Sequence, residues 1–192
     1  MERFVCGSSR LSGESTSRDG VFFMRNPAVS ADDYRPQLKV VSYDIETAMS
    51  GVRLYSIAVH ARSAKGEERQ VFMIGEGAEQ DYVSTCADQA ELLQEFVDWI
   101  DAYDPDVLIG WNVINFDTRY LQKVADHLGR RLLLGRERQP GRWREQRDYP
   151  DRFKVHFPGR VVLDGIELLR AAFYRFESFS LQNVATQLLG EG

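Results

Sequence analysis

Two acids one residue apart, Asp44 and Glu46, stand in "VVSYDIETAM" where an apolar strand runs out. Residues two apart in a strand point the same way, so Val40, Ser42, Asp44 and Glu46 share a face and Val41, Tyr43 and Ile45 take the other. Like charges that close raise each other's pKa unless a cation sits between them. A frayed strand end in solvent would also tolerate them, because acids are mostly exposed. A third acid, Asp117 in "NVINFD", follows the short apolar run "DVLIGWN". It stands where a helix should open, so capping and the helix dipole are its structural alternative. Carboxylates clustered without His or Cys suit hard, oxygen-seeking Mg²⁺ or Mn²⁺ rather than zinc. Two such ions about 3.5–4 Å apart can activate water and stabilise the leaving oxygen of a phosphodiester.

The elements that must position these acids read as α/β. "KVVSYDIE", "RLYSIAVHAR" and "RQVFMIG" are strands, the last two joined by the turn-like "SAKGEE". "DQAELLQEFVDWIDAY" is an amphipathic helix with Leu92, Leu93, Phe96, Val97 and Ile100 on one stripe. "DVLIGWN" reads as a strand buried on both faces. "DTRYLQKVADHLG" is helical with Tyr120, Leu121, Val124 and Leu128 inward and Gly129 at its end. "RVVLD" returns as a strand and "GIELLRAAF" as a helix. Ser180 caps a last helix with Leu181, Val184, Ala185, Leu188 and Leu189 inward. The order predicts a mixed sheet flanked by helices, with the site at carboxyl ends of its strands. Residues 1–36 read as an irregular, polar, Gly/Ser-rich segment, and 37–192 as one domain.

Composition limits the function classes. The 192 residues suffice for one good core, with 43% hydrophobic and 28% charged residues. No run is long and apolar enough to span a membrane, and the N-terminus carries no signal-peptide pattern. Cys6 and Cys86 are too few for a disulfide framework or a zinc site, which points to a cytoplasmic setting. The formal charge of −5 hides an uneven distribution: Arg130 to Arg160 holds nine Arg and one Lys against four acids. A basic segment on an acidic body suits contact with a phosphate backbone on one side, or a solvated Arg-rich hairpin. "RWREQRDYPDRFKVHF" reads as that hairpin, within a basic stretch near 136–160 and with Tyr149-Pro150-Asp151 near its tip.

"YDIET" followed by "GWNVINFD" resembles the first two motifs of the proofreading exonuclease of family B DNA polymerases. The flanks "DYRPQLKVVSYDIET", "YDPDVLIGWNVINFDTRYLQK", "GRVVLDGIELL" and "SFSLQNVATQLLGEG" extend the likeness from about Asp33 to the last residue. The resemblance implies a ribonuclease-H-like (DnaQ-like 3′–5′ exonuclease) fold and hydrolysis of the 3′-terminal nucleotide of a DNA strand. It implies two Mg²⁺ or Mn²⁺ ions, with Asp44 bridging both, Glu46 on the ion holding the attacking water, and Asp117 on the second. Asn112 would hydrogen-bond near the scissile end and Phe116 would pack on the terminal bases; a turn residue and a core aromatic are the alternatives. Thr47 would present its backbone or hydroxyl to the 3′ end. Arg136, Arg138, Arg142, Arg144 and Arg147 are candidate phosphate contacts at a primer–template junction. The remainder of a polymerase chain becomes an expected partner, residues 1–36 a piece of its N-terminal domain, and a bacterial, nucleoid-associated location follows.

The sequence departs from the family in one respect: the third motif, Tyr-x-x-x-Asp, is absent, and no Asp follows Leu181. His60, His127 and His156 lack the His-x-x-x-x-Asp pattern of related nucleases. Asp164 in "VVLDGIE" is the one other acid so placed, and helix capping is its expected use. A domain missing this ligand is expected to hold metal poorly and cleave slowly. A stand-alone ribonuclease-H-like nuclease and a non-catalytic nucleic-acid-binding module are the competing readings.

Overall fold

The computed structural model describes residues 7–76, 80–147 and 149–190, which leaves Cys6 outside the described part. The chain divides into two compact units, residues 1–37 and 38–192.

In the first unit, strands β1 (Ser9–Ser12), β2 (Ser15–Arg18), β3 (Val21–Met24) and β4 (Ala28–Ala31) replace the expected irregular segment. The β2–β3 hairpin lies within the antiparallel β1–β4 pair in the sequence. Asp19 and Gly20 join β2 to β3 with φ of 51° and 76°, the left-handed pair that a two-residue hairpin turn requires. That Asp-Gly was the legible signal; β1 and β2, polar and exposed on both faces, have no apolar alternation to betray them.

The second unit is built on a six-stranded sheet. Its strands are β5 (Val40–Thr47), β6 (Leu54–Ser63), β7 (Gly66–Ile74), β8 (Val83–Cys86), β9 (Val107–Gly110) and β12 (Val161–Asp164). Their order is β12-β9-β5-β6-β7-β8. β12, β9 and β5 are parallel, β6 is antiparallel to both its neighbours, and β8 runs parallel to β7. Helix α1 (Gln89–Tyr103) starts at Asp88, whose carboxylate accepts the Ala90 and Glu91 amides, and buries Leu92, Leu93, Phe96, Val97 and Ile100. That stripe meets Val41, Tyr43 and Ile45 of β5 in one core, with the Phe96 ring 5.5 Å from Tyr43 and 6.3 Å from Phe72. Helix α2 (Arg119–His127) adds Leu121, Val124 and Ala125. Below this core Arg160, 5% exposed, donates to the carbonyls of Pro105, Leu134 and Ile100 and to Asp104.

Helices α3 (Gly165–Ala171) and α4 (Leu181–Leu189) follow β12. The Ser180 cap forms, its hydroxyl accepting the Asn183 amide. The inward stripe expected for α4 does not: only Val184 is buried, while Leu181, Leu188 and Leu189 are exposed. Periodicity marks a face as apolar without guaranteeing that the fold supplies something to cover it. The basic hairpin forms where expected but turns at a different place. It comprises β10 (Arg142–Gln146) and β11 (Tyr149–His156), so its tip falls between Gln146 and Tyr149, and Tyr149–Asp151 belongs to a strand. A bulge at Glu145/Gln146, with Asp151 at φ 66°, shifts the register there. Arg136–Arg138 is a separate 3₁₀ turn.

Candidate active site

β9 ends before its neighbour does. Pairing between β5 and β9 stops at Ser42 opposite Ile109, while β5 continues to Thr47. Gly110 ends β9 close under β5: a Cβ there would lie 2.8 Å from the Val113 Cβ and 3.1 Å from the Tyr43 carbonyl. Asn112 then takes a left-handed φ of 57° and reverses the chain into a π-helical turn, Ile114–Thr118. Its ladder is visible in the Thr118 amide donating to the Val113 carbonyl, five residues back, at 2.8 Å.

Three anchors fix this turn. The Ile114 amide donates to Asp164 Oδ2 at 3.0 Å, while Asp164 Oδ1 accepts the Ile166 and Glu167 amides and caps α3. Asp164, 3% exposed, is thereby occupied on both oxygens by structural hydrogen bonds. The Thr118 hydroxyl donates to the Val113 carbonyl at 2.6 Å and accepts the buried Tyr43 hydroxyl. Burial raises the Tyr43 phenol further, so it stays a neutral donor.

Asp117 sits inside this turn, 1% exposed, and caps nothing. Its Oδ1 accepts the Ile45 amide of β5 at 3.2 Å. The carboxylate thus serves the edge of β5 that β9 has ceased to pair. The same placement sets it against Asp44, near enough for the two carboxyls to repel. Burial first, and then the Asp44 charge, push the Asp117 carboxyl from 3.8 up to about 7, against the lowering effect of the Ile45 amide. The result is a pair of repelling carboxyls in which Asp117 is held toward its neutral form. Glu46 lies two residues along from Asp44 on the exposed face of β5, and Thr47 is half-buried just past a bulge. Among the described residues no three His, Cys, Asp or Glu side chains draw together as a metal-holding group. The structure therefore joins Asp44 to Asp117 and leaves Glu46 beside them.

Phe116 is not a core aromatic: it is 45% exposed, its ring 6.4 Å from Tyr120. The Tyr120 hydroxyl in turn accepts the Arg53 amide from the loop that follows β5. The hairpin is docked on the same turn through residues that the sequence did not single out. Asn115 Oδ1 accepts the Phe153 amide at 2.7 Å, the Arg119 guanidinium lies 3.4 Å from the Phe153 ring centroid, and Trp143 donates to Gln122 of α2. Only the nearness of Asn115 to Asp117 in "NVINFD" hinted at this.

The five arginines separate into two groups. Arg136 pairs with Asp104 and Asp106 at 2.8 and 2.7 Å, and Arg138 with Asp98 and Asp101 at 2.6 and 3.1 Å. These partners lie on α1 and the loop after it, and the Arg136 guanidinium holds the Asp104 and Asp106 carboxyls below the usual range. Arg142, Arg144 and Arg147 lie on the hairpin, exposed and without an ion pair among the described residues.

A six-stranded mixed sheet flanked by helices, with Asp44 on β5 and Asp117 in the turn after β9, has the layout of a ribonuclease-H-like fold. The family described as "DNA polymerase family B, exonuclease domain" matches residues 21–184, and the chain belongs to that family. It is 40% identical to DNA polymerase II of Escherichia coli over all of this chain and 24% of that protein. It is 31% identical to a DNA polymerase of Thermococcus litoralis over 81% of this chain and 9% of that protein. The structure of the family B DNA polymerase from Pyrobaculum calidifontis superposes with a TM-score of 0.63 at 23% identity, covering 92% of this chain and 22% of that one. The chain spans about a quarter or less of these polymerases.

Proposed function

We propose that this chain carries the metal-dependent 3′–5′ exonuclease site of a DNA polymerase and removes the terminal nucleotide from a single-stranded 3′ end. The observation that carries the reading is the Asp44–Asp117 pair, with Asp117 buried and its proton affinity raised. Two adjacent carboxylates of this kind fit a Mg²⁺ or Mn²⁺ ion, whose charge would relieve the repulsion. Asp44 and Asp117 would hold it, with Glu46 offering a third carboxylate from the same strand face. An ion bound there supplies an activated water and stabilises charge on the leaving oxygen.

The remaining roles fall to this chain's own groups. Asn112, held at the strand end by its left-handed backbone, would hydrogen-bond near the scissile end, and Thr47 would face the 3′ terminus across β5. Phe116 presents an open aromatic face, which accepts any base and so suits removal of whichever base was misplaced. Arg142, Arg144 and Arg147 would meet phosphates of the strand or of a primer–template junction. The rest of a polymerase chain would be the covalent partner and would carry nucleotide incorporation.

Mn²⁺ titration by calorimetry, with digestion of a 5′-labelled single strand, tests the reading. The expected result is weak Mn²⁺ binding lost in Asp44→Asn, and slow laddering abolished by the same change. Absence of Mn²⁺ binding together with undiminished DNA binding would instead mark a non-catalytic module.

A further inference from the structure

Residues 48–53 join β5 to β6 and continue directly from Thr47. Met49 in this loop is fully exposed, and Gly51 takes a left-handed φ of 79°. The Ala48 amide donates to the Arg53 carbonyl at 2.9 Å and closes the loop on itself. Tyr120, from the first turn of α2, holds it from outside. The Tyr120 hydroxyl accepts the Arg53 amide at 3.0 Å and has the carbonyl oxygens of Arg53 and Gly51 at 3.2 and 3.4 Å to receive its own proton. Four residues back stands Phe116, its exposed ring tilted 38° to the Tyr120 ring. Strand β5 and its loop are thus stitched to the turn and α2 at successive points: Tyr43 to Thr118, Ile45 to Asp117, and the loop to Tyr120. The first two stitches are buried and the third meets solvent. An exposed hydroxyl bond adds little to stability, because water replaces it readily. What it does fix is where the loop stands relative to Phe116.

We infer that Tyr120 is a positioning residue of the strand-end site: its hydroxyl tethers loop 48–53 to the Phe116 ring, so that loop and ring close on the terminal nucleotide as one slot. The hydroxyl touches no substrate and acts through the loop that carries on from Thr47. The helical period marks Tyr120 only as part of the inward stripe of α2, and its ring does pack there while its hydroxyl reaches out. That the occupant of the slot is a 3′-terminal nucleotide rests on the nuclease reading above; the tether does not.

The test compares wild type with Tyr120→Phe, which keeps the ring beside Phe116 and removes only the hydroxyl. Two single-stranded oligonucleotides carry 2-aminopurine, a base whose fluorescence is quenched by stacking, one at the 3′ terminus and one in mid-strand. In EDTA the wild type is expected to quench the terminal probe more than the internal one. Tyr120→Phe should bind with an affinity within about two-fold of wild type, since the Phe116 face remains, yet lose the extra terminal quench. With Mn²⁺, kcat for mononucleotide release should fall about ten-fold at unchanged KM, the mark of lost orientation rather than lost binding. A tyrosine that merely stabilised the fold would lower the urea midpoint and leave the terminal quench and kcat as they were; that result overturns the assignment. The two readings fail separately. If wild type quenches the terminal probe selectively but releases no nucleotide with Mn²⁺, the nuclease reading falls and the slot stands. If it releases mononucleotides while treating both probes alike, the nuclease reading stands and the slot falls.

Discussion

Asp117→Asn should stabilise the metal-free protein, and by an amount that grows with pH. The folded state holds the Asp117 proton up to about 7, whereas an exposed Asp releases it near 3.8. The native state therefore binds more protons between those values, and wild-type stability falls as pH rises from about 4 to about 7. Each factor of ten in proton affinity is worth about 1.4 kcal/mol, so the full window corresponds to roughly 4 kcal/mol at most. Asparagine keeps an oxygen for the Ile45 amide but loses the charge-assisted part of that bond, about 1 kcal/mol. The variant should be equal to or slightly less stable than wild type near pH 4, and more stable by about 2–3 kcal/mol at pH 8. Urea unfolding in EDTA at both pH values measures the gap. A gap that is the same at the two values would refute the claim that Asp117 is an unrelieved buried acid. Mn²⁺ should then raise the wild-type midpoint and leave the variant's unchanged, because a ligand stabilises only the state that binds it.

Arg160→Ala should cost about 3–5 kcal/mol in chemical denaturation, since it orphans the carbonyls of Pro105 and Leu134 and leaves Asp104 a single cation. Arg160→Lys should recover only part, because an ammonium cannot fork to all of them. Gly110→Ala, with its new methyl 2.8 Å from Val113, should cost about 1–3 kcal/mol by urea unfolding and weaken Mn²⁺ binding by displacing the turn that carries Asp117. Phe116→Ala should leave stability within about 0.5 kcal/mol, the ring being exposed, yet lower single-strand affinity by about 1–3 kcal/mol in fluorescence anisotropy.

The sheet and its acids were legible because strand β5 alternates cleanly and α1 carries an unbroken apolar stripe from Leu92 to Ile100. The pairing of Asp44 with Asp117 followed from placing both at strand ends. How it is achieved did not: the overhang of β5 past β9 depends on Gly110, and the π-helical turn adds a residue that no 3.6-residue pattern reveals. Edge strand β8 was missed because four mixed residues carry no period. Arg136 and Arg138 looked identical to Arg144 in the sequence. Their partners, Asp98, Asp101, Asp104 and Asp106, lie some 30 to 40 residues away and only the tertiary fold aligns them.

The Trp143 indole bonds to Gln122 on α2 and meets Phe153 edge-on at 6.5 Å. Detaching the ribbon from the domain would break that bond and wet the ring. The protein thus contains its own optical gauge of ribbon attachment: with Trp99 and Trp111 replaced by phenylalanine, the emission maximum would report loosening in real time, without any attached dye.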